Sequence, residues 1–452
     1  MYCYYNQLTS LDVSKNTALT ELSCEGNQLT SLDVSKNTAL TKLYCNGNQL
    51  TSLDVSNNTA LTDLECSGNQ LTSLDVSNNT ALTDLECNGN QLTSLDVSKN
   101  TALTELSCYL NQLTSLDVSK NTALTDLNCS YNQLTSLDVS KNTALTDLYC
   151  SGNQLTSLDV SKNTALTDLY CYANQLTSLD LSNNTALNEL WCYENQIKGI
   201  TMDALINSLP INESDEEHKL YIHYLNETNV CTHSQVAAIK AKGWMPYTYT
   251  SWTEYKGCDD PTSDIVSVGA DGLATYCPAF DMDFSEAKEI AAYKANISGN
   301  EVLLERVYSV AAGEGVLLRS LNGGEVTEDV AIKATEKDEG NAFVGVLEAK
   351  TLQETDGNVT NFVLSKVDGE VGFFKANDTK ISAWKAYLPV EDYTAETAAK
   401  GLSLVFDDAT GISNVTAQPS AEDDAIYTLS GVRVANPTKG IYIKNGKKMV
   451  VK

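Results

Sequence analysis

The 452-residue sequence is poor in positive charge, with 30 lysines and arginines against 59 aspartates and glutamates and a formal net charge of -29. A surface that holds phosphates needs clustered cations, so this shortage argues against nucleic acid as a partner. The excess of carboxylates favours solubility and attraction of cations and says nothing about the fold.

Long apolar runs are also missing. No stretch of about 18 apolar residues occurs, so the sequence predicts no transmembrane segment. No basic region followed by an apolar core opens the chain, as an export signal would. Met1 instead begins in the middle of a repeated unit, and we expect the natural N-terminus, with any export signal, to precede it.

Catalytic and metal-binding motifs are a third absence. The chain has three histidines, His218, His223 and His233, without an HExxH pair, paired CxxC motifs or a phosphate-binding glycine loop. No nucleophile elbow or isolated acid pair occurs, because the abundant carboxylates come from repetition. The sequence predicts no enzyme activity, no cofactor and no metal site, and it leaves the histidines as surface or packing residues.

A repeat of 21 residues fills the first half of the chain. Cysteines recur at positions 3, 24, 45, 66, 87, 108, 129, 150, 171 and 192, and a full unit reads LTxLxCxxNQLTSLDVSxNTA with small changes. Such regularity predicts a solenoid whose coils stack and bury one continuous core. The alternation in both halves of the unit predicts two short strands per coil.

The LxxLxCxxNxL segment resembles the strand signature of leucine-rich repeats, with Cys where Leu usually stands. The match runs from Met1 to Gln196 and is to the short, nested class of these repeats. The resemblance implies a mainly β fold, with a leucine-rich repeat solenoid over residues 1–198.

Stacked coils place identical residues in columns about 4.8 Å apart. Disulfides or metal binding along the Cys column are alternatives, but parallel rungs suit neither disulfide Cβ distances nor tetrahedral coordination. We interpret the column as small buried hydrophobes. The column of Asp12, Asp33 and Asp54, continuing to Asp180, is interpreted as a solvated structural face, with cation binding as the alternative.

Variation between repeats is concentrated at the residues before and after each Cys, whereas LTSLDVS is nearly constant. Strand geometry places these positions on one exposed face, where a repeat protein diversifies recognition. Aromatic rings there suit protein hot spots or sugar stacking. The candidate ligand-binding residues are Tyr44, Glu65, Glu86, Tyr109, Tyr149, Tyr170, Tyr172, Trp191 and Tyr193. For Trp191 and Tyr193, packing beneath the segment that follows the last coil is the alternative.

Residues 199–256 predict a small α/β cap. MDALINSLP predicts a helix, KLYIHYL and WMPYTYT predict strands, and a second helix begins after Thr232 or Ser234 and ends at Gly243. A cap is expected because an open coil would expose the apolar core and a strand edge. The segment MDALINSLP…NETNVCTHSQVAAIKAKGW looks like the cap that follows such repeats in surface proteins of Bacteroidetes.

Two further β modules are predicted. Runs such as LATYC, EVLLERVYSV, NFVLSK and WKAYLPV within residues 265–411 predict an all-β, sandwich-like domain. With its segments GLATYCPAFDM, AAGEGVLLR and GFF…WKAYL, this region resembles an accessory domain of the same surface proteins. Pairing of Cys258 with Cys277 stays open. Residues 412–452 predict hairpins with turns at Ser430-Gly431 and Asn445-Gly446. Their segment IYTLSGVRV…KGIYIKNGKKMVVK is similar to the C-terminal sorting modules of Bacteroidetes, including those of the type nine secretion route.

These resemblances imply an exported protein, at the cell surface or outer membrane or outside the cell. We expect a non-catalytic recognition or adhesion protein that binds a host or microbial protein through the variable strand face. Glycan binding through the Tyr/Trp cluster of the last coils is the alternative, and a spacer role is a third. Binding to a basic protein should weaken with salt, whereas glycan binding should not. The oligomeric state is left open.

Overall fold

The computed structural model describes residues 1–212, 216–224, 228–298, 301–338, 340–367, 370–391, 393 and 402–407, together with the backbone of four strands nearer the C-terminus. The chain divides into two compact units, Met1–Phe406 and Asp407–Lys452. Within the described residues, no helix has both the length and the apolar character needed to cross a membrane.

Each coil from Glu21 onward contributes one strand of three residues to a parallel sheet, whereas the first coil forms only a bridge between Tyr2 and Ser23. These strands are β1 (Glu21–Ser23), β2 (Lys42–Tyr44), β3 (Asp63–Glu65), β4 (Asp84–Glu86), β5 (Glu105–Ser107), β6 (Asp126–Asn128), β7 (Asp147–Tyr149), β8 (Asp168–Tyr170) and β9 (Glu189–Trp191). They pair in register, so that Leu22 lies opposite Leu43 and Leu43 opposite Leu64. The predicted mainly β solenoid of leucine-rich repeats is confirmed.

The prediction of a second strand in each coil is wrong for the described coils, where the LTSLDVS half contains no strand. In this half of the coil, tight turns form backbone hydrogen bonds within the same coil, such as that from Asn37 N–H to Val34 O at 2.9 Å. Buried asparagines then link neighbouring coils, since Asn58 Nδ2 donates to Val34 O at 3.0 Å and to Asn37 O at 2.9 Å. Side-chain amides therefore do what a backbone ladder would do in a strand.

The core of the solenoid is built from the Leu, Cys and Val columns. Leu22, Cys24, Leu29 and Val34 are fully buried, and so are their equivalents in the following coils. The cysteines carry free thiols, and burial raises the pKa of the Cys24 thiol to about 12. The interpretation of these cysteines as small buried hydrophobes is confirmed by their burial.

A left-handed backbone position follows the strand in each coil. Glycine occupies it at 26, 47, 68, 89 and 152, whereas Tyr5, Leu110, Tyr131, Ala173 and Glu194 occupy it with φ between 49° and 54°. The asparagine that comes next closes the bend: Asn48 Nδ2 donates to Cys24 O and Cys45 O at 3.1 Å, and its Oδ1 accepts the Leu29 N–H at 3.0 Å. The sequence-based expectation that this asparagine column satisfies backbone groups is confirmed.

The parallel sheet continues past the repeats into the predicted cap. It gains β10 (His218–His223) beside β9, β11 (Trp244–Thr248) beside β10, and a short antiparallel strand, β12 (Thr253–Glu254). The same segment contains two helices, α1 (Ile200–Ser208) before β10 and α2 (His233–Ala241) between β10 and β11. Thr232, and not the alternative Ser234, caps α2 in a capping box with Gln235. The predicted helices and strands of this segment are confirmed.

The next part of the chain is all β. Its strands are β13 (Ser263–Val268), β14 (Leu273–Tyr276), β15 (Met282–Asp283), β16 (Ile290–Ser298), β17 (Glu301–Val307), β18 (Ser309–Val310), β19 (Val316–Ser320), β20 (Val326–Ile332), β21 (Val344–Val346), β22 (Lys350–Leu352), β23 (Thr355–Asp356), β24 (Val359–Val367), β25 (Glu370–Lys375), β26 (Thr379–Ile381), β27 (Lys385–Glu391) and β28 (Ser403–Asp407). The predicted β runs therefore contain strands.

Three of the sheets pack in layers. The middle sheet has the order β14-β19-β16-β17-β28, and one of its faces packs Leu318 against Val266 and Val330 of the β13-β20-β15-β18 sheet. Its other face packs Leu317 against Phe362 of the β21-β27-β24-β23 sheet, in which β25 pairs with β24. The predicted sandwich packing thus occurs on both faces, because runs such as VLL and IAAY are apolar at consecutive positions.

This β region packs on the last coil and the cap. The Thr177 hydroxyl donates to Leu347 O at 2.8 Å, the Ile200 N–H donates to Ala279 O at 2.9 Å, and Lys198 forms an ion pair with Asp264 at 2.9 Å. Cys258 N–H bonds to Cys231 O and Cys277 N–H to Trp384 O, so Cys258 and Cys277 have different surroundings and both thiols are free.

The C-terminal unit contains β29 (Ile426–Thr428), β30 (Arg433–Val434), β31 (Gly440–Lys444) and β32 (Lys447–Val451), in the order β30-β29-β31-β32. All three pairings are antiparallel, as the predicted hairpins require. The predicted turns at Ser430-Gly431 and Asn445-Gly446 lie outside the described residues.

Candidate recognition face

The outward side of the parallel sheet presents three parallel columns of side chains, two of which hold the variable residues. One column holds the first residue of each strand, the second holds the residue before each Cys, and the third holds the residue after it. The inward Leu and Cys residues between them are fully buried. We call this side the strand face.

Aromatic rings line up in the second column at the cap end of the strand face. Neighbouring ring centroids lie 4.8 Å apart for Tyr149 and Tyr170, 4.6 Å for Tyr170 and Trp191, 4.4 Å for Trp191 and Tyr221, and 5.3 Å for Tyr221 and Tyr247. These five residues, the aromatic column, occupy paired positions on β7 to β11. The rings cover one another, which leaves Tyr149, Tyr170 and Trp191 half-buried.

A second row of tyrosines runs beside the aromatic column. Tyr172 stacks on Tyr193 at 4.5 Å, its hydroxyl lies 3.1 Å from that of Tyr131, and Tyr193 stacks on Tyr249 at 5.1 Å. Tyr193 is only 3% exposed. Its predicted exposure on the strand face is therefore wrong, and the alternative of packing beneath the cap applies because Tyr224 and Tyr249 cover it.

Several aromatic residues of this face were not among the sequence candidates. Trp252 is 58% exposed and lies over Trp191, and Tyr131 is 45% exposed. The sequence signal for Tyr131 was the replacement of the Gly in CSGNQ by Tyr in CSYNQ. The signal for Tyr221 was the alternation in KLYIHYL, which repeats that of LWCYE and continues the column by one strand.

Carboxylates fill the first column on consecutive strands and form what we call the acidic ladder. Its members are Asp63, Asp84, Glu105, Asp126, Asp147, Asp168 and Glu189, which pair in register from β3 to β9. The sequence analysis overlooked this column, although the third residue of LTxLxC is acidic in each of these coils. Burial and then the charge of Asp63 raise the pKa of Asp84 to about 7, and burial and then Asp147 raise that of Asp126 to about 6.

The acidic ladder and the aromatic column touch at Glu189. Its Oε1 accepts the Tyr170 hydroxyl at 2.9 Å and the Trp191 Nε1–H at 2.6 Å. Burial and the bond to Glu189 raise the pKa of the Tyr170 hydroxyl, which therefore stays a donor at neutral pH. Lys219 Nζ of β10 lies 3.8 Å from the other oxygen of this carboxylate.

The remaining candidates lie farther from the cap. The Tyr44 hydroxyl donates to Asp63 Oδ2 at 2.7 Å, and Glu65 Oε2 accepts Asn46 Nδ2–H at 2.5 Å. Burial raises the pKa of Glu65 and of Glu86, and neighbouring carboxylates add to both shifts. Tyr109 is half-buried, and its N–H bonds to Asn88 Oδ1 at 3.1 Å. These residues share the strand face with the aromatic column without contributing to it.

The aspartates of LTSLDVS have a structural role. Asp33 Oδ1 accepts the Ser35 N–H at 2.9 Å, and the same bond recurs between Asp54 and Ser56 and in later coils. The Ser35 hydroxyl and N–H lower the pKa of Asp33 by bonding to its carboxylate. The interpretation of this column as a structural face is confirmed by these turns. Among the described residues, no group of three or more His, Cys, Asp and Glu side chains is placed to hold a metal ion.

The histidines of the cap take part in packing. His218 contacts Trp244 edge-on at 5.0 Å, and His223 stacks on Tyr255 at 4.5 Å. His233 is exposed, with Nδ1 2.6 Å from Lys256 O. These surroundings are those of the surface and packing residues expected from the sequence.

No family model matches the sequence, and no curated protein matches it. Among solved structures, the functional domain of InlJ from Listeria monocytogenes, described as including a cysteine ladder, is 27% identical, with a TM-score of 0.46 over 74% of this chain and 85% of that one. A leucine-rich repeat protein of Leptospira interrogans is 23% identical and has a TM-score of 0.45, with 54% of this chain and 64% of that chain covered. An internalin of Listeria monocytogenes, InlF, is 21% identical and has a TM-score of 0.38, with 54% of this chain and 85% of that chain covered. These likenesses concern the repeat fold and assign no ligand to this chain.

Proposed function

We propose that this chain is a non-catalytic recognition protein that binds another protein through the strand face. The observation that carries the proposal is the position of the variation. Residues that change from coil to coil lie on one side of a parallel sheet, whereas the Leu and Cys columns behind them stay constant and buried. A scaffold with a constant core and a variable outward face is suited to partner recognition.

The aromatic column supports protein binding in particular. Tyr and Trp side chains bury a large area and lose little conformational entropy when they are fixed, so they dominate many interfaces. Here Tyr149, Tyr170 and Trp191 are already held against one another before any partner arrives. This pre-organisation lowers the entropic cost of binding.

Glycan binding is a second candidate, favoured by the exposure of Trp252 at the edge of the same rings. An exposed indole beside Trp191 offers a flat apolar surface for a sugar ring. Dependence on Trp252 and insensitivity to salt would distinguish this function from binding to a charged protein.

The cellular context is part of the same proposal. Action at a cell surface or after secretion is supported by the resemblance of residues 412–452 to sorting modules, and we divide the chain into a solenoid (1–198), a cap (199–256), an accessory domain (265–411) and the sorting-like module. In this scheme the β modules serve as stalk and export signal.

The test uses the intact chain in pull-downs from surface-protein extracts and on a glycan array. Tyr149→Ala, Tyr170→Ala and Trp191→Ala combined should abolish capture. The matched control combines Gln91→Ala, Gln112→Ala and Gln133→Ala, which alter exposed residues outside the strand face. Thermal melts verify that both variants fold. Capture that survives the aromatic triple substitution would refute binding through this face.

A further inference from the structure

One lysine of the chain shows how the strand face holds an ammonium group. Lys42 Nζ lies 3.2 Å from Asp63 Oδ2, 3.3 Å from the Tyr44 hydroxyl oxygen and 6.0 Å from the centre of the Tyr44 ring. The Tyr44 hydroxyl also donates to the same Asp63 oxygen. A carboxylate, a hydroxyl and an aromatic ring therefore converge on one cation, and each attracts positive charge.

The same arrangement recurs near the cap without the lysine. In β7 and β8 the equivalents of Lys42, Tyr44 and Asp63 are Asp147, Tyr149 and Asp168. Asp147 thus stands where the lysine would be, and its Oδ1 accepts the Tyr149 hydroxyl at 3.2 Å. The tyrosine and both carboxylates are in place there, and among the described residues no lysine or arginine forms an ion pair with either carboxylate.

Among the described residues, the ion pairs of the acidic ladder lie at its two ends. Lys42 pairs with Asp63 at 3.2 Å at one end, and Lys219 with Glu189 at 3.8 Å at the other. In the part of the chain that the structure describes, no lysine or arginine forms an ion pair with the members between them, Asp84, Glu105, Asp126, Asp147 and Asp168. About 20 Å of the strand face therefore presents stacked carboxylates that form no ion pair of their own. Burial raises the pKa of Asp168, and Lys219 opposes this rise only from a distance.

We propose that these five unpaired carboxylates, with Tyr149 and Tyr170 beside them, dock a protein segment that carries several lysine or arginine side chains. The inference rests on the proposed recognition function and adds the chemistry of the partner. Charge complementarity selects a cationic partner, and the arrangement at Lys42 shows the fit of a lysine. Long basic side chains lay their methylene stems on aromatic rings while their charged ends reach the carboxylates.

A row of separate sites also favours a polymeric cation over a metal ion. The carboxylates follow one another from strand to strand at about 4.8 Å and do not converge on one point. A partner can pair its charges along the row if it places one basic side chain at each carboxylate or at every second carboxylate. Pairing also removes the repulsion that helps to raise the pKa of Asp84 and Asp126.

The experiment measures binding of a fluorescent peptide of alternating Lys and Ser, about 12 residues long, to the intact chain, with a Glu-Ser peptide as the control ligand. We expect saturable binding of the basic peptide only, weakened when salt rises from about 50 to about 300 mM. Asp147→Asn combined with Asp168→Asn should weaken it about three- to tenfold. Glu325→Gln combined with Asp329→Asn, which removes two exposed charges from the β region, should change it less than about twofold.

A second variant places the cation within the chain. Asp147→Lys recreates the arrangement of Lys42, so it should weaken binding of the basic peptide at least as much as the double substitution does. It should also raise the thermal midpoint of the chain. No saturable binding, equal weakening by both charge pairs, or an Asp147→Lys chain that binds like wild type would each overturn the inference. If the aromatic triple variant loses its captured partner while the ladder variants keep theirs, recognition by the strand face stands and the basic partner is refuted.

Discussion

The indole N–H of Trp191 donates to the carboxylate of Glu189, two residues earlier on the same strand, at 2.6 Å. The Tyr170 hydroxyl of the neighbouring strand donates to the same oxygen at 2.9 Å, and the two rings stack with centroids 4.6 Å apart. One carboxylate therefore fixes the centre of the aromatic column and joins it to the acidic ladder.

The first prediction concerns this carboxylate. Glu189→Ala should lower the free energy of unfolding by about 1–2 kcal/mol, because two half-buried donors lose a charged acceptor. Glu189→Gln should cost less, since its amide oxygen still accepts a hydrogen bond. Urea unfolding measures both losses, and the near-UV circular dichroism of the aromatic column should change more in the Ala variant. Equal losses for Ala and Gln would contradict the role assigned to the hydrogen bonds.

The second prediction concerns the charge of the acidic ladder. The folded pKa of Asp84, about 7, lies above its ordinary value of 3.8, so between these values the folded state holds a proton that the unfolded state has lost. The contribution of Asp84 to stability therefore falls as pH rises from about 4 to about 7. Asp84→Asn should stabilise the chain at pH values above 7 by a few tenths to about 1 kcal/mol, with solvent screening limiting the gain, and have little effect near pH 4.

Asp75 provides a control of opposite sign in the preceding coil. Bonds from the Ser77 hydroxyl and N–H lower its pKa, so its contribution to stability is present at neutral pH and is lost in acid. Asp75→Ala should therefore lower the thermal midpoint at neutral pH, where Asp84→Asn raises it. Shifts of the same sign in melts at neutral pH would show that charge alone, and not the position of each carboxylate, determines the response.

The third prediction uses the left-handed position of the coils. Leu110 has φ 54°, whereas the equivalent Gly89 has φ 58° without strain. Leu110→Gly should stabilise the chain by about 0.5–1 kcal/mol, because the relief of strain exceeds the added entropy of the unfolded chain. Chemical unfolding at fixed pH measures the change.

The reverse substitution, Gly89→Ala, isolates the same conformational cost. The added Cβ would lie 3.7 Å from Gly68 N, an ordinary contact, so only the backbone angle opposes it. A loss of about 1 kcal/mol is expected. If Leu110→Gly destabilises as much as Gly89→Ala, the side chain of Leu110 contributes contacts that outweigh its strain.

The fourth prediction concerns the cysteines. The nine column thiols from Cys24 to Cys192 are fully buried, and burial raises the pKa of Cys24 and of Cys129 to about 12. Thiolates are the reactive form, so a water-soluble alkylating reagent should leave these positions unmodified in the native chain. The partly exposed Cys3 and Cys258 should react first. Mass spectrometry of peptides identifies the modified sites, and column cysteines that react only after reduction would indicate disulfides.

Much of the solenoid follows from local sequence. Alternation around Leu22 and Cys24 predicts which side chains point inward, and the constant spacing of 21 residues predicts that identical rows stack. The second strand was predicted wrongly because alternation in LTSLDV is a pattern of burial, and burial alone does not provide the consecutive backbone partners that a strand needs. Asn58 and its equivalents provide the links between coils instead.

The candidate face was predicted in part. Tyr149, Tyr170 and Trp191 were identified because they depart from the repeat, whereas the acidic ladder was overlooked because its residues hardly vary. Comparing the coils for differences identifies the positions that vary, and it overlooks a negative charge that most coils share. The ladder becomes visible when in-register pairing places the carboxylates of Asp84 and Glu105 on adjacent strands.

The sequence by itself determined the repeat, the buried columns and the outward direction of the variable positions, because these depend on neighbours in the same coil or in an identical one. Only the tertiary structure decided that Tyr221 and Tyr247 extend the aromatic column and that Tyr249 covers Tyr193. It also decided that Lys219 forms an ion pair with Glu189, the last carboxylate of the acidic ladder. Those contacts join the last coil to strands outside the repeat. Their register is set by packing in the cap, which no period in the sequence encodes.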